Sequence, residues 1–452
     1  MPTPHGTPGA RNVPAPGAAD SGDSLYPFNG NGGYDVQHYT IAIAYDPATH
    51  TLTGTDVITA RATQALSRFD LDLHALNAQS VTVDGHVATS AHSGDKLAVT
   101  PVRPIPYGTA FTAKIQYGGV PKPYNDKYNG PGGFIAQPDG ALAIGQPEVA
   151  GAWFPVNDRL TDKASYDITI TAPSSLSAIS NGVLVNKHVA GQQTSWHWAE
   201  SSPMASYLAF LAIGKYRVTI TAHDGRPVVL AVAATLPRQM DTELAETPSI
   251  VDFLTTQFGP YPFNAMGGVV HTDTELDALE NQTRPTYSSD DFDSPADAAD
   301  VMVHELAHQW FGDSVSVGDW SDIWLNEGFA TYAEWLWSEH IGRRTTKQKF
   351  DHLYQKSDGI PSDPAGTPTQ RTLFDDSVYD RGAATLEALR ITVGDTMFWK
   401  IIRGWAHDRM NGNARTADFV KYADRVSGHS LDSFFHAWLY TSGKPPYPQP
   451  MN

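Results

Sequence analysis

The sequence contains no cysteine, and this absence limits how the chain can be held together and which metals it can bind. Without cysteine there is no disulfide and no thiolate ligand, so a metal site would have to use histidine and carboxylate ligands. No apolar run reaches the roughly 20 residues that a membrane-spanning helix requires, so no membrane insertion is expected.

Basic residues are also scarce, since 31 Lys and Arg stand against 49 Asp and Glu and give a formal net charge of −18. Nucleic acids and anionic membranes bind clustered Lys and Arg, so neither is expected as a partner. Aromatic residues are abundant, with 11 Trp, 19 Tyr and 18 Phe, which is enough for large hydrophobic cores. A chain of 452 residues exceeds the usual size of one domain, so two or three are expected.

The pattern of the sequence changes twice along the chain. Residues 1–28 are rich in Pro, Gly and Ala, which predicts a disordered leader. They lack the pattern of a signal peptide, and we favour a secreted protein whose signal has been removed over a cytoplasmic one. Residues 29–217 contain many short apolar strands broken by Gly, Pro and Asn, which predicts an all-β domain. Residues 218–452 begin with two further strands, up to about residue 237, and then have helical periodicity, so a mainly helical domain and an α+β fold class with several domains are expected.

The stretch HELAHQW, residues 304–310, has the spacing of a metal site. His304 and His308 are four residues apart and would lie on one face of a helix, which Ser294 and Pro295 predict to begin just upstream. Glu305 would reach a zinc-bound water and act as general base. The alternative is an ordinary amphipathic helix that carries these side chains by chance.

A third ligand is needed, because a catalytic zinc site uses three protein ligands and keeps one open position. Eighteen residues separate His308 from Glu327, and a second antiparallel helix would bring Glu327 back over the first. Metal-bound histidines usually donate their other N–H to a carboxylate or carbonyl, and the sequence does not choose among several candidates. These candidates are Asp313, Asp322, Asn326 and Glu334, whereas His271, His340 and His352 are interpreted as surface or structural residues.

The segment HELAHQWFGDSVSVGDWSDIWLNEGFATYAEWLW resembles the zinc aminopeptidases of the aminopeptidase N type, the group that also contains leukotriene hydrolase. The resemblance covers about residues 30–445. It implies one zinc ion per chain and a saddle-like or sandwich β domain followed by a thermolysin-like, mainly helical catalytic domain. It also implies the short two-domain form, without the helical C-terminal domain of larger members.

Three further motifs carry residue roles implied by the resemblance. DALENQTRP at residues 277–285 is similar to the exopeptidase motif Gly-x-Met-Glu-Asn, with Asp277 in place of Gly and Leu279 in place of Met. The motif implies that Glu280 binds the free α-amine of a substrate, which suits a carboxylate that pairs with an ammonium group. Ala278, Leu279 and Asn281 would line the same substrate site.

The second motif, GQPEVAGAWFPVNDRL, implies that Glu148 adds another carboxylate to the amine site. Gln146 would form the neighbouring wall of the first side-chain pocket. The third motif, SVYDRGAATLEALR, implies that Tyr379, ahead of Arg381 and Gly382, donates a hydrogen bond to the oxyanion of the tetrahedral intermediate.

These observations predict a zinc-dependent aminopeptidase that removes one residue at a time from peptides with a free N-terminus. One alternative is a thermolysin-like endopeptidase, which would share the zinc ligands and lack the amine-binding carboxylates. Another is a non-catalytic, zinc-containing module that binds peptides. The sequence leaves open the preferred N-terminal residue and the oligomeric state, for which a monomer is the simplest expectation.

Overall fold

The structure, a computed structural model, describes residues 12–147, 149–356 and 359–451. The chain divides into two compact units, Met1–Arg217 and Val218–Asn452. Across the described residues, no helix combines the length and the apolarity that crossing a membrane would require.

The first unit is built around a mixed sheet of eight strands. In sheet order these are β15 (Val183–Ala190), β16 (Gln193–Met204), β13 (Ala164–Pro173), β2 (Tyr34–Asp46), β3 (Thr51–Ala62), β9 (Ala110–Gly119), β5 (Asn77–Val83) and β6 (His86–Val87). Apolar and polar residues alternate along β2, and Tyr39, Ile41 and Ile43 are buried on one face. Ile41 lies opposite Ile168 of the parallel neighbour β13, so the alternation sets which face of the sheet covers the core.

Two smaller sheets complete this unit. One has the order β1 (Ala15–Pro16), β4 (Leu66–Asp72), β8 (Lys96–Thr100) and β7 (Thr89–Ser93). The other has the order β10 (Pro123–Asp126), β11 (Gly130–Gln137), β12 (Gly140–Ile144), β17 (Leu211–Gly214) and β14 (Ser177–Ser180). Short 3-10 turns span Ala150–Ala152 and Ser206–Leu208.

The predicted disorder of the leader is wrong for its described part, residues 12–28. The backbone N–H of Ala15 donates to the Ala65 carbonyl at 3.0 Å, and that of Gly17 donates to the Arg68 carbonyl at 2.8 Å, so the segment pairs with β4. Gly17 allows this approach, since a Cβ there would lie 2.4 Å from the Gly32 carbonyl oxygen. The rest of the predicted leader, residues 1–11, lies outside the described residues.

The second unit combines a small sheet with a set of helices. The sheet has the order β18 (Tyr216–His223), β19 (Arg226–Ala233), β20 (Met266–His271) and β21 (Thr286–Ser288), and β22 (Val315–Val317) pairs with β23 (Gly412–Ala414). The helices are α1 (Gln239–Leu244), α2 (Thr247–Phe258), α3 (Pro295–Ala307), α4 (Trp324–His340), α5 (Thr346–Gln355), α6 (Asp376–Val393), α7 (Asp395–Asp408), α8 (Thr416–Ser427) and α9 (Asp432–Phe435). Shorter turns are the 3-10 segments Ser289–Phe292, Trp320–Asp322 and Gln370–Thr372, and a π-helical turn, His436–Tyr440.

The α+β fold class predicted from the sequence is confirmed, with a β-rich unit followed by a mainly helical one. Helix α3 begins where its capping signal places it. The backbone N–H of Asp297 donates to the Ser294 hydroxyl at 3.2 Å, and Pro295 occupies the first helical position. The cap therefore sets the start of the helix that carries the HELAH residues.

Replacing Ser294 by Ala should lower the free energy of unfolding by about 1 kcal/mol, because the first turn of α3 loses its capping acceptor. Urea unfolding followed by tryptophan fluorescence would measure the change. Ser294→Thr is the matched control, since it keeps a hydroxyl at the same position. Equal stability losses in the Ala and Thr variants would contradict the capping role.

Candidate metal centre and active site

Two helices bring the two histidines and Glu327 together. His304 and His308 lie at the carboxyl end of α3, and Glu327 lies in the first turn of α4. The Oε2 atom of Glu327 is 3.2 Å from Nε2 of His304 and 3.4 Å from Nε2 of His308. All three side chains are largely buried, with relative exposures of 9% for His304, 1% for His308 and 2% for Glu327.

The other ring nitrogen of each histidine identifies the atoms that face Glu327. Nδ1 of His304 is 2.6 Å from Oε1 of Glu334, and Nδ1 of His308 is 3.0 Å from the Phe311 carbonyl oxygen. A carbonyl and a carboxylate accept hydrogen bonds, so both Nδ1 atoms are N–H donors. In a neutral imidazole the Nε2 atom is then an acceptor. Two nitrogen lone pairs and a carboxylate oxygen thus converge on one point.

This arrangement fits a tetrahedral metal ion. Bonds of 2.0–2.1 Å at a tetrahedral angle place neighbouring ligand atoms about 3.4 Å apart, which matches the distances from Glu327 to the two histidines. The second carboxylate oxygen of Glu327, Oε1, is buried and makes no hydrogen bond to any described residue. Two imidazoles and one carboxylate are a donor set that zinc prefers, so His304, His308 and Glu327 could hold it.

The surrounding charges favour a cation at this point. Burial lowers the pKa of His308, but the charge of Glu327, its hydrogen bond and the charge of Glu280 together outweigh burial and raise the pKa to about 9. Burial raises the pKa of Glu327, but the charges and hydrogen bonds of His308 and His304 together make the net shift downward. Glu327 and its neighbours therefore stabilise a positive charge between the ring nitrogens, whether protons or a metal ion carries it.

Glu305 follows the first histidine on α3 and is 6% exposed. Burial raises the pKa of its carboxyl group to about 8, with smaller upward contributions from the charges of Glu280 and Glu327. A carboxylate whose affinity for a proton is raised in this way suits the role of a general base near neutral pH.

The segment that contains Glu280 lies beside the histidine helix. Leu279 pairs with Thr286 through two backbone hydrogen bonds of 2.8 Å. The Glu280 side chain is 1% exposed, and its charge raises the pKa of both Glu305 and His308. Glu280 therefore adds a further buried carboxylate to the surroundings of the histidines.

Sequence reasoning missed Gln309, which fastens the Glu280 segment to the end of the histidine helix. Its amide Nε2 donates to the Glu280 carbonyl oxygen at 3.1 Å, and its Oε1 accepts from the Thr283 N–H at 2.7 Å. The residue is fully buried. A polar residue directly between His308 and the aromatic pair Trp310 and Phe311 is the signal that could have identified it.

Tyr379 lies in the first turn of α6 and faces the same histidines. Its ring is stacked against that of His304, with 5.8 Å between centroids and 22° between planes. Burial raises the pKa of the phenol well above its usual value, and the charges of Glu327 and Glu305 raise it further. The hydroxyl consequently keeps its proton at neutral pH and can donate a hydrogen bond.

The other residues predicted to contact a substrate differ in how exposed they are. The side chains of Leu279 and Asn281 are buried, and Oδ1 of Asn281 accepts from the Thr286 hydroxyl at 3.0 Å. A substrate could therefore contact Ala278, which is partly exposed, or the backbone of this segment. Gln146 belongs to the first unit and lines a cavity of about 150 Å³ there. Glu148 lies outside the described residues.

The structure also selects among the candidates for supporting the histidines. Glu334 bonds to His304, and the Phe311 carbonyl bonds to His308. Asp322 instead accepts from the Thr416 N–H at 2.9 Å, at the start of α8.

Three histidines were interpreted from the sequence as surface or structural residues. His271 is buried at the end of β20, and His340 packs against Phe253 and Trp337. His352 is exposed.

A histidine pair and adjacent glutamate on one helix, with a third ligand from the next helix, is the site architecture of the HExxH metallopeptidases. The sequence matches the description "Peptidase M1 N-terminal domain" over residues 35–208 and "Peptidase family M1 domain" over residues 242–438. These matches cover most of both units, and the chain belongs to peptidase family M1.

Similar proteins support the assignment to peptidase family M1. "Aminopeptidase M1-D" of Oryza sativa subsp. japonica is 28% identical over 65% of this chain and 36% of its own length. "Aminopeptidase M1" of Arabidopsis thaliana is 28% identical over 75% of this chain and 41% of its own length. The chain thus spans about two fifths of the length of these curated relatives.

Solved structures match over a larger share of their length. An M1 zinc metallopeptidase from Deinococcus radiodurans is 28% identical, with a TM-score of 0.87 over 96% of this chain and 99% of that one. A mutant of that M1 zinc metallopeptidase bound to a Tyr-Ser-Ala substrate has a TM-score of 0.88 at 28% identity, covering 96% of this chain and 100% of that one.

Replacing Glu334 by Ala should weaken zinc binding by about 10–100-fold, because His304 loses the carboxylate that orients its ring. Competition with a chromogenic chelator would measure the zinc affinity. Glu339→Ala is the matched control on the same helix, where the carboxylate bonds to the Thr346 N–H at 3.0 Å. An unchanged zinc affinity in the Glu334 variant would show that this contact does not support the metal site.

Proposed function

We propose that this protein is a zinc-dependent aminopeptidase that hydrolyses the first peptide bond of peptides with a free N-terminus. The convergence of Nε2 of His304, Nε2 of His308 and Oε2 of Glu327 supports a single zinc site with these three ligands. When bound there, zinc would supply a Lewis acid that polarises the scissile carbonyl and makes water acidic enough to attack near neutral pH.

Two side chains near the three ligands carry out the proton transfer and the stabilisation of the oxyanion. Glu305 removes a proton from the attacking water at its carboxylate oxygen and passes it to the nitrogen of the departing amine. Tyr379 donates its phenolic hydrogen to the carbonyl oxygen as negative charge develops there. A donor that strengthens its bond at that stage lowers the barrier rather than only improving substrate binding.

The burial of Glu280 close to Glu305 and His308 carries the exopeptidase part of the proposal. A carboxylate forms a strong, charge-assisted hydrogen bond with an ammonium group, so Glu280 would bind the α-ammonium group of a peptide. Since the ammonium marks the end of the substrate, only the first peptide bond would reach Glu305 and the metal. The roles of Glu148 and Gln146 at the same amine and in the first side-chain pocket stay predictions.

The Glu305→Gln variant should retain zinc and lose about 10²–10⁴-fold in kcat, because the amide cannot accept the proton from water. Metal analysis and turnover of aminoacyl-arylamides, with and without chelator, would measure both quantities. A panel of such substrates would also give the preferred first residue. A Glu305→Gln protein with the turnover of the wild type would refute the proposed base.

The Glu280→Gln variant should lose most of the preference for free-amine substrates, because the neutral side chain no longer pairs with an ammonium. We expect kcat/KM for a free-amine peptide to fall by about 10²-fold, mainly through KM, as is typical when a buried charge loses its partner. The ratio of cleavage rates for a peptide and its N-acetylated form measures this preference.

Glu275→Gln is the matched control, since Glu275 is an exposed carboxylate in the same segment. Its selectivity should equal that of the wild type. Equal cleavage of free and N-acetylated peptides by the wild-type protein would instead favour a thermolysin-like endopeptidase, and failure to cleave either would favour a non-catalytic peptide-binding module.

A further inference from the structure

Helix α6 carries Tyr379, and two residues that follow it hold this helix from opposite sides. Gly382 is three residues after Tyr379 and lies on the same face of the helix, whereas Arg381 is two residues after it and points the other way. Neither Arg381 nor Gly382 has a role in the chemistry described above.

Arg381 fastens α6 to two backbone segments. Its side chain is fully buried, and its Nε–H donates to the Trp438 carbonyl at 2.8 Å. Its other donors reach further carbonyl oxygens, which are those of Pro361, Ser362, Asp363, Ala437, Thr441 and Gly443. All of these acceptors are backbone carbonyls, so the guanidinium fork joins residues 361–363 and 437–443 to one point on α6.

The acceptors explain how a cation is tolerated in this interior position. Several of them belong to or follow the π-helical turn His436–Tyr440, where the last carbonyls of a helix carry partial negative charge. Burial lowers the pKa of Arg381 to about 10, so the group stays charged near neutral pH. The charge of Asp363 opposes the effect of burial, and the carbonyls of the turn accept hydrogen bonds from the guanidinium group.

Gly382 determines how closely α6 approaches the helix that carries Glu327. A Cβ built on Gly382 would lie 2.8 Å from the Gly328 Cα, and a Cβ on Gly328 would lie 2.8 Å from the Gly382 Cα. The two helix backbones thus touch with no side chain between them. Glycine destabilises a helix interior relative to alanine, so its use on both helices is explained by this contact.

The contact lies next to the catalytic groups. Gly328 directly follows Glu327 on α4, and Gly382 is about one helical turn from Tyr379 on α6. Because side chains three apart share a helix face, the face that touches α4 also directs Tyr379 toward His304. The separation of α4 and α6 consequently sets the position of the phenol relative to the metal ligands.

We infer that Arg381 and Gly382 are positioning residues for Tyr379, which together hold its hydroxyl at a fixed distance from the Glu327 carboxylate. Gly382 allows α6 to touch α4, and Arg381 ties the opposite side of α6 to the two backbone segments. The inference rests on the proposed function, in which Tyr379 stabilises the oxyanion.

The Gly382→Ala variant tests the inference most directly. Relief of the 2.8 Å contact requires α6 to move away from α4 by about 1 Å, since nonbonded carbons prefer 3.5–4.0 Å. A displacement of that size should lower kcat by about 10–10²-fold, with little change in KM or in zinc content. Gly404→Ala on α7 is the matched control, because its new Cβ would meet the Tyr422 hydroxyl instead, and it should keep the wild-type kcat.

A double-mutant cycle separates positioning from a general loss of stability. In the Tyr379→Phe background there is no phenol to misplace, so Gly382→Ala should have little further effect on kcat. The Arg381→Lys variant keeps the charge and loses the guanidinium fork, and it should show the same dependence on Tyr379. Equal losses with and without the phenol would overturn the inference.

A crystal structure of the zinc-loaded Gly382→Ala protein gives a readout that does not depend on turnover. The distance from the Tyr379 hydroxyl to the Glu327 carboxylate should increase by about 1 Å, and an unchanged distance would overturn the positioning role. An inactive wild-type protein would refute the proposed aminopeptidase while the measured distance would still decide whether Gly382 positions Tyr379.

Discussion

The site depends on one electrostatic constraint, which is that three acceptor atoms share a small buried space. Oε2 of Glu327 lies 3.2 Å from Nε2 of His304 and 3.4 Å from Nε2 of His308, and the bonds at Nδ1 direct both lone pairs inward. Such atoms repel unless a cation lies among them. The burial of α3 and α4, the Glu334 contact and the Phe311 carbonyl all keep this arrangement from relaxing.

The same region illustrates how carboxylates of one chemical type acquire different roles from their surroundings. Glu327 contacts both imidazoles and its pKa is lowered, whereas Glu305 is shielded from water and its pKa is raised to about 8. Glu334 is partly exposed and orients a ring. Position relative to the two imidazoles, rather than residue type, thus separates the proposed ligand, the proposed base and the residue that orients a ring.

Local patterns made much of the fold and the site predictable. The capping pair Ser294 and Pro295 indicated the start of α3, and the spacing of His304 and His308 follows from the helical repeat alone. The leader was predicted wrongly for residues 12–28, because it pairs with β4, which is about 50 residues away in sequence. Gln309 was missed for a similar reason, since its partners Glu280 and Thr283 are distant in sequence.

The sequence by itself determined which side chains are present and, through helical periodicity, which of them share a face: His304 with His308, and Tyr379 with Gly382. Only the tertiary structure decided that Glu334, rather than Asp322, supports His304, and that α4 and α6 touch at Gly328 and Gly382. The physical reason is the distance along the sequence over which each interaction acts. Helix repeats and caps act over a few residues, whereas ring orientation and helix separation depend on atoms that meet only after the chain has packed.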